Sequence, residues 1–145
     1  MATAADMEAL GAALAARLHA VRLIGLRGEL GAGKTTLVRG LLRALGHAGA
    51  VKSPTFTLVE PYALGDRVLY HLDLYRLNDP EELEFLGLRD YLQGRNICVV
   101  EWPERAAGVL PRADIDVIIQ KVNEGRQVKL VSHTNQGAAL LSGLP

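Results

Sequence analysis

The chain has 145 residues, 49% of them apolar and 22% charged, which suits one globular core and is too apolar for a disordered segment. Lys+Arg and Asp+Glu balance at 16 each, so no net field draws the chain onto nucleic acid or an anionic membrane, and any RNA-linked role is expected to work through partners. A single cysteine excludes an internal disulfide, and no apolar run approaches the roughly 18 residues of a membrane helix. With no basic–apolar leader at the start, a cytoplasmic protein with one domain over residues 1–145 is expected.

Residues 5–19 carry Met7, Leu10, Leu14 and Leu18 at helical spacing, which predicts an amphipathic helix that packs on a sheet. Residues 21–27 (VRLIGLR) read as a buried strand. The strand runs into Gly28-Glu29-Leu30-Gly31-Ala32-Gly33-Lys34-Thr35-Thr36, which matches G-x-x-x-x-G-K-[ST], the phosphate-cradling P-loop. Glycines let successive backbone N–H groups turn inward toward phosphate oxygens. Lys34 adds a point charge for the β- and γ-phosphates, and the Thr35 hydroxyl is placed to ligate Mg²⁺. Residues 37–45 continue as a helix whose N-terminal end faces the same anion, and Gly46 is its stop.

In Val51–Val59, Ser53-Pro54 opens a turn and the alternation after it predicts a strand. Ser53-Pro54-Thr55 also falls where P-loop proteins place a segment that senses the γ-phosphate or metal; a plain proline turn is the alternative. Gly65-Asp66 turns into a second strand over 67–75, giving an antiparallel hairpin across about 55–75. Residues 78–82 (NDPEE) start a helix whose apolar side is Leu83, Leu86 and Leu88; Gly87 breaks it and a short helix follows over 88–92. Residues 97–100 (ICVV) form a buried strand that holds Cys98 as a reduced core thiol and ends at Glu101. A short helix over 103–109, a hairpin pairing 114–119 with 126–131, and a loosely held tail from His133 complete the chain. This order predicts an α/β P-loop NTPase domain with a mixed, mostly parallel sheet, embedded hairpins and flanking helices.

A P-loop needs an acid near its metal, usually at the end of an apolar strand. Asp73 and Glu101 both end such strands: one is expected to hold metal, directly or through water, and the other to orient attacking water. Trp102 is either a core residue or a wall of the nucleotide pocket, and Arg126 either reaches phosphate or base or is solvated. Neither Asn-Lys-x-Asp nor Asp-x-x-Gly after the acid strand is present, which favours ATP over GTP. The four histidines lack zinc-ligand spacing, and Gly-x-Ser-x-Gly is absent.

Five linked motifs, at residues 28–36, 51–60, 71–77 (HLDLYRL), 79–84 (DPEELE) and 100–104 (VEWPE), resemble the TsaE (YjeE) family over about residues 7–132. The resemblance implies an ATPase that supports formation of N6-threonylcarbamoyladenosine in tRNA, working with a heterodimer of TsaB and TsaD and touching tRNA only through that complex. It also implies metal association for Thr35 and Glu101, a place near metal or water for Asp73, and nucleotide contact for Arg126. The family often carries a polar nucleotide contact ahead of the first helix, where this chain has Thr3 and Asp6. Two other functions fit a P-loop of this length: a small-molecule kinase, with Arg105 and Arg112 as lid arginines, and a nucleotide-gated binding module.

Overall fold

A computed structural model describes residues 3–18, 21–29, 31, 33–51, 54, 58–123 and 125–144. Six strands form one sheet: β1 (Leu23–Arg27), β2 (Val59–Leu64), β3 (Arg67–Asp73), β4 (Ile97–Glu101), β5 (Ile115–Val122) and β6 (Gly125–Ser132), in the order β2-β3-β4-β1-β5-β6. The inner four strands run parallel, and the two edge strands are the antiparallel arms of hairpins. This is the mixed, mostly parallel sheet that the element order predicts.

β1 lies at the centre because its residues are buried on both faces; Leu23, Ile24 and Leu26 are at most 3% exposed. One face is covered by α1 (Ala4–Ala15) and α2 (Lys34–Ala44), and Met7, Leu14, Leu37 and Leu41 pack there on Ile24, Leu26, Val99 and Val117. The two helices touch backbone to backbone. A Cβ on Gly40 would press on the Glu8 backbone, and one on Gly11 would press on the backbone of Leu37 and Leu41. The opposite face packs Leu72, Leu74, Cys98 and Val100 against α3 (Glu82–Leu86), α4 (Leu88–Tyr91) and the 3-10 turn Pro103–Ala106.

Several sequence expectations shift. The first helix ends at Ala15, with Arg17 N–H bonding the Leu14 carbonyl in a tightened last turn. Its start is closed by a capping box between Thr3 and Asp6, which engages both of these side chains in capping the helix. Residues 55–57 of the expected strand over 55–59 lie outside the described residues; β2 starts at Val59 and runs through Pro61, where proline is tolerated because β2 is an edge strand. Leu86, expected on the apolar side of its helix, is 39% exposed, because Leu83 and Leu88 already fill the contact with the sheet. The short helix after β4 is a 3-10 turn only four residues long.

The expected loose tail is a helix, α5 (Asn135–Ser142). The Thr134 hydroxyl caps it by accepting from Gly137 N–H, and Leu140 is buried in the first core. Asp114 ties this end down: its Oδ1 accepts from Thr134, and its Oδ2 accepts from the N–H groups of Arg22 and Leu23 at 2.7 and 3.1 Å. Among the described residues no helix is long and apolar enough to cross a membrane.

Candidate active site at the ends of the parallel strands

The glycine-rich loop leaves the C-terminal end of β1, where open parallel sheets bind their ligands. Gly31 (φ 75°) and Gly33 (φ 111°) take left-handed conformations, which is why glycine is needed at these two points. Gly33 caps α2 without a side-chain bond, so the first N–H groups of α2, around Thr35 and Thr36, are not occupied by a capping side chain. Leu30, Ala32, Ser53 and Thr55 lie outside the described residues.

Lys34 is 5% exposed and folds back so that Nζ donates to the Gly28 carbonyl at 2.6 Å. The ammonium also lies 4.1 Å above the centre of the Trp102 ring. Burial pushes its pKa down, and Glu101, Asp73 and Glu104 partly pull it back up. The structure therefore gathers the lysine, both expected acids and the tryptophan within one electrostatic neighbourhood.

Strand register brings the two acids together. Asp73 and Glu101 are paired residues at the ends of β3 and β4, and Glu101 is also paired with Leu26 of β1. All three therefore face the side of the sheet that α2 covers. Asp73 and Glu101 are 5% and 4% exposed. The Asp73 carboxylate accepts from Tyr75 N–H at 3.0 Å, turning the chain away from the strand end.

His71 is the residue that sequence reasoning missed here. It is fully buried, and its Nε2 donates to Glu101 Oε2 at 2.6 Å, while Nδ1 is buried without a partner. That arrangement assigns the ring proton to Nε2. The signal was its place two residues before Asp73, which puts both side chains on one face of β3.

Trp102 adopts a left-handed backbone (φ 58°, ψ 49°), costly for a bulky residue by about 1 to 2 kcal/mol. The turn lays the indole under Lys34 and beside Tyr75, whose ring centre is 5.0 Å away. Trp102 also walls a cavity of about 450 Å³ with Gly28, Glu29, Gln120 and Lys121. It is thus half-buried and forms a pocket wall rather than a core residue alone.

The β5–β6 hairpin closes the outer side. Arg126 donates to the Gly31 carbonyl at 3.2 Å, so it reaches the loop. Lys121, paired with Arg126 across the hairpin, has Nζ 3.4 Å from where a Gly31 Cβ would stand. Lys121 was also missed; the hairpin register that seats it opposite Arg126 is a tertiary fact. Arg105 lies 5.7 Å from the centre of the Tyr75 ring. Arg112 lines a separate cavity of about 370 Å³ over the other face of β1.

The donors expected from the sequence are hard oxygens: the hydroxyl of Thr35 and the carboxylates of Asp73 and Glu101. Among the described residues no group of three or more His, Cys, Asp or Glu converges to hold a metal alone. Such a set suits Mg²⁺, which takes one or two protein ligands and completes its shell with phosphate and water.

The family model described as "Threonylcarbamoyl adenosine biosynthesis protein TsaE" matches residues 1–128 of the chain. A Haemophilus influenzae protein named tRNA threonylcarbamoyladenosine biosynthesis protein TsaE is 51% identical over 128 residues, covering 87% of this chain and 81% of that one. A Bacillus subtilis protein of the same name is 40% identical over 102 residues, covering 70% and 63% of the two chains. The crystal structure of Bacillus subtilis YdiB superposes with a TM-score of 0.83 at 29% identity, over 98% of this chain and 88% of that one.

Proposed function

This chain belongs to the TsaE family of tRNA threonylcarbamoyladenosine biosynthesis proteins, and we propose that it serves there as a magnesium-dependent ATPase acting on a TsaB–TsaD heterodimer. The observation that carries the reading is the convergence of Lys34, Asp73 and Glu101 at the P-loop, from two paired strand ends and one helix start. ATP is the nucleotide because guanine-reading motifs are absent from the sequence. The reading sets the chain in the cytoplasm, with tRNA reached only through the complex.

In this reading the phosphates of ATP lie on the N–H groups of the loop from Gly28 to Thr36. Lys34 exchanges its bond to the Gly28 carbonyl for phosphate oxygens and neutralises charge that builds on the γ-phosphoryl group. Thr35 and one carboxylate would hold Mg²⁺, which would supply Lewis-acid stabilisation of the phosphate charge. The other carboxylate accepts a hydrogen bond from water and aligns it with the γ-phosphorus. Glu101 suits a fixed acceptor, since His71 immobilises one of its oxygens. Trp102, Lys121 and Arg126 wall the nucleotide on the open side. Thr55 belongs to the segment expected to sense the γ-phosphate.

The test is ATP turnover by the purified chain, alone and with TsaB–TsaD, with Lys34→Ala as the control. Weak turnover that the heterodimer changes and Lys34→Ala abolishes is the expected result. Undiminished turnover in Lys34→Ala would remove the site assignment, and Lys34-dependent turnover indifferent to the heterodimer would remove the partner.

A further inference from the structure

We propose that Phe85 and the acids around it form a docking knob for a protein partner that offers an apolar socket edged by lysine or arginine. The inference rests on the accessory-ATPase reading and names the surface that reading would use. Phe85 is 89% exposed, although Leu83, two residues earlier in the same helix, is fully buried. Two residues are about 200° on a helix, so burying Leu83 points Phe85 to solvent. Leu86 widens the apolar spot, and these two are the exposed large apolar side chains among the described residues.

The mount is rigid. Gly87 ends α3 in a left-handed conformation (φ 91°), and α4 restarts at once with Leu88 buried. Tyr91 Oη donates to the Leu86 carbonyl at 2.7 Å, and the Tyr91 ring stacks on Tyr70 of β3 with centres 4.4 Å apart. An aromatic side chain has only two torsions to fix, so on this backbone it loses little freedom when it binds.

Charge selects the occupant. Residues 79–90 hold Asp79, Glu81, Glu82, Glu84 and Asp90 against the single base Arg89, in a chain of formal net charge zero. Glu81 and Glu82 lie one helical turn before Phe85, and Arg89 is drawn to Glu84 at 3.8 Å. A negative rim repels nucleic-acid phosphate and anionic lipid, whereas it complements a basic protein surface. An apolar aromatic centre inside a polar rim is the anatomy of a binding hot spot. The knob is also joined to the site by a short buried stretch of chain: from Asp73 the chain passes through Leu74 and Leu77, both buried, into α3. Leu74 N–H bonds the Glu101 carbonyl at 3.1 Å.

The experiment titrates the full chain, with ATP, against the purified TsaB–TsaD heterodimer of the same organism. Phe85→Ser should weaken binding about thirtyfold, while Phe85→Trp should hold it within about threefold. Glu81→Lys should also weaken it, and the wild-type affinity should fall as salt rises. Phe85→Ser should leave far-UV circular dichroism and partner-free ATP turnover unchanged. Wild-type binding with Phe85→Ser equally tight would overturn the docking surface and leave the partner reading standing. No binding by the wild-type chain would overturn both. A dimer of the free chain that Phe85→Ser dissolves would overturn the proposal in favour of a second copy.

Discussion

Replacing His71 by leucine should destabilise the fold through Glu101 rather than through His71 itself. The imidazole is fully buried and makes one short bond to a carboxylate that is 4% exposed. Leucine fills similar space, so the loss of packing is small. What remains is a buried carboxylate with one oxygen stripped of its donor, a cost of about 1 to 3 kcal/mol, and more if Lys34 does not compensate. Glu101→Leu alone leaves His71 with both ring nitrogens unpartnered and should cost a similar amount, about 1 to 3 kcal/mol. The double variant removes both polar partners at once. It should be at least about 2 kcal/mol more stable than the sum of the single effects predicts. Urea unfolding followed by the fluorescence of Trp102, the one tryptophan, and by far-UV circular dichroism measures all four proteins. Additive single effects, or a His71→Leu cost below about 0.5 kcal/mol, would refute the view that the pair is one unit.

Three further outcomes follow from packing and burial. Gly40→Ala should raise helix propensity by about 1 kcal/mol yet lose about 1 to 3 kcal/mol net, because its Cβ meets the Glu8 backbone; a rise in thermal midpoint would contradict the α1–α2 contact. Asp114→Ala should cost about 2 to 4 kcal/mol and loosen both the start of β1 and α5, read as faster hydrogen exchange at Arg22 and Leu23. Burial pushes the Cys98 thiol up to about 12 from an ordinary 9.0. The unfolded chain therefore loses this proton first, so stability is full below about pH 9 and falls by up to about 1.4 kcal/mol per unit above it. Cys98→Ala should remove that part of the slope between pH 9 and 11, and equal slopes in the two proteins would show that the thiol is accessible.

The sequence by itself determined the parts whose physics is local. Gly28 to Thr36 spells a phosphate loop because glycines, a lysine and a hydroxyl are needed at fixed spacing, and strand and helix patterns flank it. Asp73 and Glu101 were legible because each ends an apolar run, and the parallel core followed from the alternation of strand and helix signals. Tertiary structure alone decided what depends on register and approach between distant segments. The pairing of β3 with β4 makes the two acids neighbours and leads His71 to Glu101. The pairing of β5 with β6 lifts Lys121 and Arg126 over Gly31. The glycine- and serine-rich tail looked loose because its own periodicity is weak, yet Asp114, 91 residues beyond Leu23, fastens it to the start of β1 by side-chain bonds no local pattern encodes. Phe85 lies outside the apolar side of Leu83, Leu86 and Leu88 that the local pattern marks, and the burial of Leu83 against the sheet is what turns it outward.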